Sequence, residues 1–145
     1  MKKLQNKVAI VTGGSRGIGA DISLCLAEAG AKVVVNYVKN QQTADQICQK
    51  ITQSGGECLA IKADVSNPAE VKMLFDQTIA HFGQADILVN NAGILIFKPL
   101  ADISDDEFKR IFDTNVDGVF YTLREAATRL ADNGRVVNIS STVTR

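Results

Sequence analysis

Short apolar runs alternate with amphipathic segments along the chain, and this alternation restricts the fold more than any other feature of the sequence. The runs are 8–11, 33–35, 58–61, 87–89 and 136–139. Short apolar runs bounded by glycine and polar residues are typical of strands buried on both faces, as in parallel sheets covered by helices. The sequence therefore predicts an α/β fold with a doubly wound parallel sheet. The expected strand order is 3-2-1-4-5, with a ligand crevice at the carboxyl ends of strands 1 and 4.

The segments between the runs have helical periodicity. The predicted apolar face of the first helix consists of Ile18, Ile22, Cys25, Leu26 and Ala29. The last segment is predicted as one long helix from Ser104 to about Leu130, and it begins with a capping box formed by Ser104 and Glu107. Its predicted apolar face consists of Phe108, Ile111, Phe112, Val116, Val119, Phe120, Leu123 and Ala127.

Composition narrows the class of protein. The 145 residues include 16 basic and 16 acidic side chains and are 46% hydrophobic, which is enough for one packed domain over residues 1–145. A net charge of zero gives no electrostatic signature of nucleic-acid or anionic-membrane binding. No apolar run approaches the ~20 residues of a membrane span, and the N-terminus does not resemble a signal peptide. We therefore expect a cytoplasmic protein with neither nucleic acid nor membrane as a partner.

The three cysteines, Cys25, Cys48 and Cys58, form no Cys-x-x-Cys pair, and His81 is the only histidine. This set suits neither a disulfide scaffold nor a zinc site. We expect no metal site and three reduced, mostly buried thiols.

A glycine-rich turn follows the first predicted strand and precedes the first helix. It reads Thr-Gly-Gly-Ser-Arg-Gly-Ile-Gly over residues 12–19. Gly13 permits a tight turn, Gly17 lets the backbone approach a pyrophosphate, and Gly19 allows the helix to pack close to the strand. An ordinary glycine loop is the alternative, but the strand before it and the helix after it favour phosphate binding.

The spacing Thr-Gly-x-x-x-Gly-x-Gly resembles the short-chain dehydrogenase/reductase family, which has a Rossmann-type fold. Further motifs match in order: Asp64-Val65 after strand 3, Asn-Asn-Ala-Gly at 90–93 after strand 4, then Asn115, and Ser141 after strand 5. Each alone could be structural, with Asn closing a turn or Asp64 capping a helix. Together, the resemblance implies catalytic roles for Ser141 and Asn115. The candidate cofactor-binding residues are Gly13, Ser15, Arg16, Gly17, Ile18, Gly19, Asn36, Lys39, Asp64, Val65, Asn91, Ala92 and Gly93.

The residues after strand 2 indicate which nicotinamide cofactor is used. An acidic side chain there would bond a ribose 2′-hydroxyl, but residues 35–40 contain none. Arg16 and Lys39 are cations that could reach a 2′-phosphate, although Lys39 could equally be a solvated loop charge. The sequence thus predicts NADP(H) in preference to NAD(H).

In the short-chain dehydrogenase/reductase family, the catalytic Ser is followed along the chain by a Tyr that acts as acid/base. A Lys lies four residues after this Tyr. The only tyrosines here, Tyr37 and Tyr121, do not fit, and the sequence ends at Arg145. We expect a Rossmann-type domain truncated after strand 5, whose last strand is an exposed apolar edge. The alternative is a natural short product that binds nucleotide at most.

The resemblance implies an oxidoreductase that interconverts ketones and alcohols by hydride transfer. The segments 34–37 and 62–68 look closest to those of 3-oxoacyl-carrier-protein reductases and of relatives that act on sugars or polyketides. The resemblance also implies a homo-oligomer, dimer or tetramer, that acts on a small carbonyl or alcohol substrate. The competing hypothesis is a non-catalytic nucleotide-binding fragment that lacks the Tyr-x-x-x-Lys pair. A methyltransferase also uses a glycine loop after strand 1, but the spacing and Asn-Asn-Ala-Gly argue against it.

Overall fold

A computed structural model of the protein describes residues 2–141, which form a parallel sheet covered by helices on both faces. The strands are β1 (Val8–Val11), β2 (Lys32–Tyr37), β3 (Cys58–Lys62), β4 (Ile87–Asn90) and β5 (Arg135–Asn138). The helices are α1 (Gly17–Glu28), α2 (Gln41–Gln53), α3 (Pro68–Phe82), α4 (Asp105–Phe112) and α5 (Gly118–Arg129). The strand order is β3-β2-β1-β4-β5, and every pair is parallel, which confirms the predicted fold class and order.

Alternate side chains of β2 point into two separate cores. Val33 and Val35 pack with α1 and α2 on one face of the sheet, whereas Val34 packs with Phe75 of α3 on the other. All four of these side chains are completely buried. Because both faces of β2 are buried, apolar and polar residues do not alternate along it. A continuous apolar run is what a strand buried on both faces is expected to have.

Helix α1 packs on the sheet through small residues together with Ile22 and Leu26, which belong to the predicted apolar face. Its buried residues are Gly19, Ala20, Ser23 and Ala27. Ile18 is 64% exposed and Cys25 is exposed, so the prediction for these two residues is wrong. Small side chains let the helix axis approach β1 closely, and this contact outweighs the burial of larger side chains elsewhere on the helix.

The predicted single helix from Ser104 to Leu130 is interrupted. The capping box is confirmed, because Glu107 N donates to Ser104 Oγ at 3.2 Å and Ser104 N donates to Glu107 Oε2 at 3.0 Å. Helix α4 then ends at Phe112, and a π-helical turn over Asp113–Asp117 leads into α5. The extra residue in the π turn changes which face of α5 is turned toward the sheet.

The face that α5 buries also differs from the prediction. It consists of Gly118, Thr122 and Ala126, whereas Phe108, Phe112, Val116 and Phe120 are 47–56% exposed. A Cβ at residue 118 would lie 2.8 Å from Cγ2 of Val65, so glycine is needed for this close approach. The large apolar side chains therefore form a surface and not a core.

The cysteine prediction is wrong for two of the three thiols. Cys48 of α2 and Cys58 of β3 form a disulfide, with Cα atoms 5.1 Å apart. The chain folds back through the glycines at 55 and 56, so residues ten positions apart meet. Cys25 is free but exposed, contrary to the expectation of a buried thiol.

A buried carboxylate joins β1 to the segment before β4. Asp86 accepts hydrogen bonds from Val8 N at 2.8 Å, Gln84 Nε2 at 2.7 Å and Lys7 Nζ at 3.0 Å. Burial on its own would raise the pKa of Asp86, but these donors outweigh it and hold the pKa below its ordinary value. The carboxylate therefore stays ionised and secures the amino-terminal ends of the two central strands.

Within residues 2–141, no helix has both the length and the apolar character needed to cross a bilayer.

Candidate functional site

The predicted crevice lies where β1 and β4 end side by side. Val11 of β1 is in register with Val89 of β4, and the connections leave these strands toward opposite sides of the sheet. The loop after β1 and the loop after β4 therefore meet at one edge, as expected for a ligand site in such a sheet.

Thr12 fastens these two loops together. Its hydroxyl accepts hydrogen bonds from Asn91 N and Ala92 N, both at 3.0 Å, and donates to Val89 O at 3.3 Å. The Asn91 side-chain amide donates to Thr12 O at 3.0 Å and to Gly13 O at 3.1 Å. Asn91 and Ala92, both predicted cofactor contacts, thus also fix the shape of the glycine turn.

The three loop glycines serve different purposes. A Cβ on Gly13, where φ is +60°, would lie 3.1 Å from Cα of Ala92. A Cβ on Gly19 would overlap the carbonyl oxygen of Gly13. At Gly17, where φ is +50°, a Cβ would meet no atom of the described residues within 4 Å. Gly13 and Gly19 are therefore required by packing, whereas Gly17 faces open space.

The start of α1 lacks the side-chain cap that the starts of α2, α3 and α4 possess. Asn40, Asn67 and Ser104 accept hydrogen bonds from the first turns of α2, α3 and α4. Arg16, the N-cap of α1, makes no side-chain cap, and the first turn of α1 carries no acidic residue. The first amide groups of α1 have no acceptor within the helix, and they lie at the positive end of the helix dipole. Both properties favour the binding of an anion at this helix start.

Both predicted cations lie on the surface beside this helix start and the end of β2. Arg16 and Lys39 are exposed, and neither forms an ion pair with a carboxylate of residues 2–141. Ser15, which precedes Arg16 in the sequence, is half-buried, and Ile18 is exposed next to the uncapped turn. These residues offer positive charge and amide donors to an anionic ligand.

Asn36 lies behind the loop and not on its open side. The sequence predicts it as a cofactor contact, but its side chain is completely buried. Its Oδ1 accepts from Gly13 N at 3.2 Å, and its Nδ2 donates to Ala63 O at 2.8 Å and Ile61 O at 3.3 Å. The direct contact is therefore corrected to a contact with the protein backbone.

Asp64 and Val65 lie where β3 leaves the sheet. Asp64 Oδ1 accepts from Ser66 N at 2.9 Å and Ser66 Oγ at 2.7 Å, which closes a turn before α3. Asp64 N donates to Glu70 Oε2 at 2.7 Å. Asp64 is half-buried, whereas Val65 is only 3% exposed and packs against Gly118. Asp64 thus stands at the rim of the crevice in a fixed orientation.

Asn115 lies on the π-helical turn and clasps the chain that leaves β4. Its Oδ1 accepts from Ile94 N and its Nδ2 donates to Ile94 O, both at 2.8 Å. A Cβ on Gly93 would lie 3.4 Å from this Oδ1. The π turn therefore brings Asn115 against the Asn-Asn-Ala-Gly segment, and π turns frequently occur at functional sites.

Ser141 is exposed and follows β5, and Asn90 of the predicted Asn-Asn-Ala-Gly motif bonds to two side chains that the sequence did not single out, Asn138 and Thr122. Asn90 Nδ2 donates to Asn138 Oδ1 at 2.9 Å, and Thr122 Oγ1 donates to Asn90 Oδ1 at 2.7 Å. Asn138 is a polar residue in an otherwise apolar run, and this interruption is the signal that could have identified it. Thr122 could not be identified, because it depends on the rotation of α5.

Two shallow cavities, of about 180 and 130 Å³, lie at the opposite end of the sheet around Lys2, Ala27 and Gly56. They are distant in the fold from the loops after β1 and β4. The candidate site is instead an open surface formed by those loops.

Comparison with known proteins agrees with this geometry. The family model described as short chain dehydrogenase matches residues 7–145. An uncharacterized oxidoreductase of Methylorubrum extorquens is 43% identical over 144 residues, which are 99% of this chain and 58% of that protein. Versicolorin reductase stcU of Emericella nidulans is 44% identical over 139 residues, which are 96% of this chain and 53% of that protein.

A solved structure gives the same result for the fold. The short-chain dehydrogenase from Burkholderia cenocepacia, determined in complex with NADP, superposes with a TM-score of 0.93 at 40% identity. The match covers 97% of this chain and 57% of that one. The chain thus spans slightly more than half the length of the relatives it matches. The glycine turn, the Asn-Asn-Ala-Gly segment and these matches place the chain in the short-chain dehydrogenase/reductase family of oxidoreductases.

Proposed function

We propose that this chain forms the dinucleotide-binding part of an NADP(H)-dependent oxidoreductase that interconverts a ketone and an alcohol. The observation that carries the proposal is the uncapped start of α1, with open space at Gly17 and the exposed guanidinium of Arg16 beside it. A diphosphate accepts hydrogen bonds and carries negative charge, which suits such a helix start. The complex of the Burkholderia cenocepacia relative with NADP supports the same cofactor class.

The residues at the site fit NADP(H) better than NAD(H). Arg16 and Lys39 are exposed cations, and residues 35–40 contain no carboxylate that would repel a 2′-phosphate. The rim residue Asp64 would accept a hydrogen bond from the adenine amine, and Ser15 would add a hydroxyl donor to the phosphates. The backbone around Asn91–Gly93 would line the nicotinamide side of the crevice.

For the reaction itself, we propose that the Ser141 hydroxyl orients the substrate carbonyl through a hydrogen bond. Asn115 would hold the wall beside it through its two bonds to Ile94. The bound cofactor would supply or accept the hydride. Charge that develops on the substrate oxygen requires an acid as well as this hydrogen bond. Tyr37 is buried and Tyr121 lies on α5, so neither is a candidate for that acid.

Cofactor titration tests the proposal. Fluorescence titration of the 145-residue chain should give tighter binding of NADPH than of NADH. Arg16→Ala should weaken NADPH binding by about tenfold, because it removes a charged hydrogen-bond donor, and leave NADH binding much less affected. Equal or tighter NADH binding by the wild type, or an unchanged ratio in Arg16→Ala, would contradict the proposed preference.

The second candidate function is nucleotide binding without catalysis, favoured by the unsuitable positions of both tyrosines. Absorbance at the nicotinamide band, followed with NADPH and a panel of ketones, separates the two functions. The chain alone should bind NADPH without turnover. Turnover would show that residues 1–145 contain a sufficient acid/base group.

We also propose that the protein forms a homo-oligomer. The support is the exposed apolar surface of α4 and α5, which contains Phe108, Phe112 and Phe120. Light scattering should give a mass above 15.6 kDa for the chain, and Phe120→Lys should lower it. A monomer in the wild type would contradict this part of the proposal.

A further inference from the structure

We propose that Asn36 is a positioning residue that sets the distance between the phosphate-binding loop and the adenine side of the crevice. This inference rests on the proposed NADP(H) function. It assigns to Asn36 a role that differs from a direct contact, because its side chain is completely buried.

Asn36 holds the glycine turn from two of its atoms. Its side-chain Oδ1 accepts from Gly13 N at 3.2 Å, and its main-chain carbonyl accepts from Gly14 N at 2.9 Å. These two amides are therefore engaged within the protein. A bound diphosphate would depend on amides further along, at Gly17 and Ile18, where the helix start is uncapped.

The other end of the same side chain holds the end of β3. Asn36 Nδ2 donates to Ala63 O at 2.8 Å and to Ile61 O at 3.3 Å. Ala63 immediately precedes Asp64, the proposed adenine contact. One carboxamide thus connects the loop for the phosphates to the strand end that carries the adenine contact.

Only a neutral carboxamide can both accept the hydrogen bond from Gly13 N and donate to the carbonyl oxygens at the end of β3. An aspartate would keep an acceptor for Gly13 N but would place its second oxygen against two carbonyl oxygens. An apolar side chain would leave Gly13 N and Ala63 O without this partner in a buried place, where the loss of a hydrogen bond is most costly. The effect should therefore appear most strongly with a ligand that spans both parts of the site.

The experiment compares a ligand that spans the site with one that does not. NADP⁺ covers the loop and the adenine side, whereas 2′-AMP carries the adenine and the 2′-phosphate without the diphosphate. In the 145-residue chain, Asn36→Ala should weaken NADP⁺ binding by about tenfold or more and 2′-AMP binding by less than about threefold. Asn36→Asp, which keeps the volume, should show the same order of effects.

Thr78→Ala is the matched control. Thr78 is also completely buried, and its hydroxyl bonds only within α3, to Leu74 O at 2.7 Å. It should lower thermal stability without changing the ratio of the two affinities. Equal weakening of NADP⁺ and 2′-AMP in both Asn36 variants, or no weakening of NADP⁺, would overturn the role of Asn36.

Hydrogen exchange on the wild type tests the inference even where a variant does not fold. Without nucleotide, the amides of Gly13 and Gly14 should exchange slowly and those of Gly17 and Ile18 quickly. Added NADP⁺ should slow the second pair. Rapid exchange at Gly13 and Gly14 would overturn the inference. If the Gly13 amide exchanges slowly but the wild type does not bind NADP⁺, only the proposed function is contradicted.

Discussion

Strands β1 and β5, the first and the last along the described chain, both contain two valines, but these valines have opposite surroundings. All four residues of β1 are buried, whereas all four residues of β5 are exposed. Strand β1 lies between β2 and β4 with helices on both faces, while β5 pairs within residues 2–141 only with β4. The comparison shows that the same side chain is buried or exposed according to its strand's place in the sheet: Val8 and Val11 are buried, whereas Val136 and Val137 are 41% and 47% exposed.

The same difference separates the two parts of the candidate site. The loop after β1 is held by Thr12, Asn36 and Asn91 from three directions. The chain after β5 leads to an exposed Ser141, and β5 is joined to β4 by backbone pairing and by the hydrogen bond from Asn90 Nδ2 to Asn138 Oδ1. The loop on the proposed cofactor side is therefore joined to side chains of β2 and of the segment after β4, whereas β5 on the proposed substrate side is joined to β4.

Matched isoleucine substitutions on the two sides should give the largest contrast. Ile10 of β1 is completely buried, and Ile139, just after β5, is 41% exposed. Ile10→Ala should lower the free energy of unfolding by about 2–5 kcal/mol, because it leaves a cavity in a packed core. Ile139→Ala should cost about 1 kcal/mol or less, since little buried surface is lost. Urea unfolding of both variants measures the difference, and equal losses would contradict the comparison.

The disulfide between α2 and β3 should stabilise the folded chain as a whole. Closing the loop between Cys48 and Cys58 restricts the unfolded chain, an effect of about 3 kcal/mol for a loop of this size. Cys48→Ser should therefore lower the melting temperature, and a reducing agent should do the same to the wild type. Cys25→Ser, at the exposed free thiol, is the control and should change stability little. If three thiols react with a thiol reagent in the wild type, and its melting temperature does not change with reductant, the disulfide between Cys48 and Cys58 does not form.

Asp86 joins the two sides, and its contribution should depend on pH. Asp86→Asn should cost about 1–3 kcal/mol at neutral pH, because it weakens hydrogen bonds to a buried carboxylate. The pKa of Asp86 is lower in the folded than in the unfolded protein, so its stabilising effect is complete above the unfolded value of about 3.9. The effect is lost as the pH falls through the folded pKa.

The stability difference between the wild type and Asp86→Asn should therefore stay constant from neutral pH down to about pH 5 and shrink below about pH 4. Chemical unfolding at several pH values measures it. Asp132→Asn, at an exposed carboxylate, is the control and should change stability at neutral pH little. A difference that grows on acidification would contradict the lowered pKa.

The sequence predicted the sheet and the loop well because both depend on local patterns. Apolar runs of a few residues identify buried parallel strands, and the glycine spacing in 12–19 corresponds to positive φ at Gly13 and Gly17. The capping box at Ser104 is equally local. In each case, the residues that carry the signal are also those that make the contact.

The incorrect predictions concern contacts set by the way elements pack together. The face of α1 depends on how closely small residues approach β1, and the exposed face of α4 and α5 depends on the π turn at Asp113–Asp117. Cys48 and Cys58 meet only because α2 folds back onto β3. The sequence predicts Asn36 as a cofactor contact because it lies near the end of β2. That its side chain faces the protein interior is visible only in the structure.

A change at the open edge should alter association while leaving stability nearly unchanged. Val137 of β5 is 47% exposed on the outermost strand described, so Val137→Lys should shift the free energy of unfolding by no more than about 0.5 kcal/mol. A charged side chain there opposes pairing of the edge with another strand, so light scattering at high concentration should decrease. Val34→Lys, at the completely buried position of β2, is the opposite case and should prevent folding. If Val137→Lys also unfolds the chain, β5 is covered in solution, and the contrast with β1 reflects a missing neighbour and not an open edge.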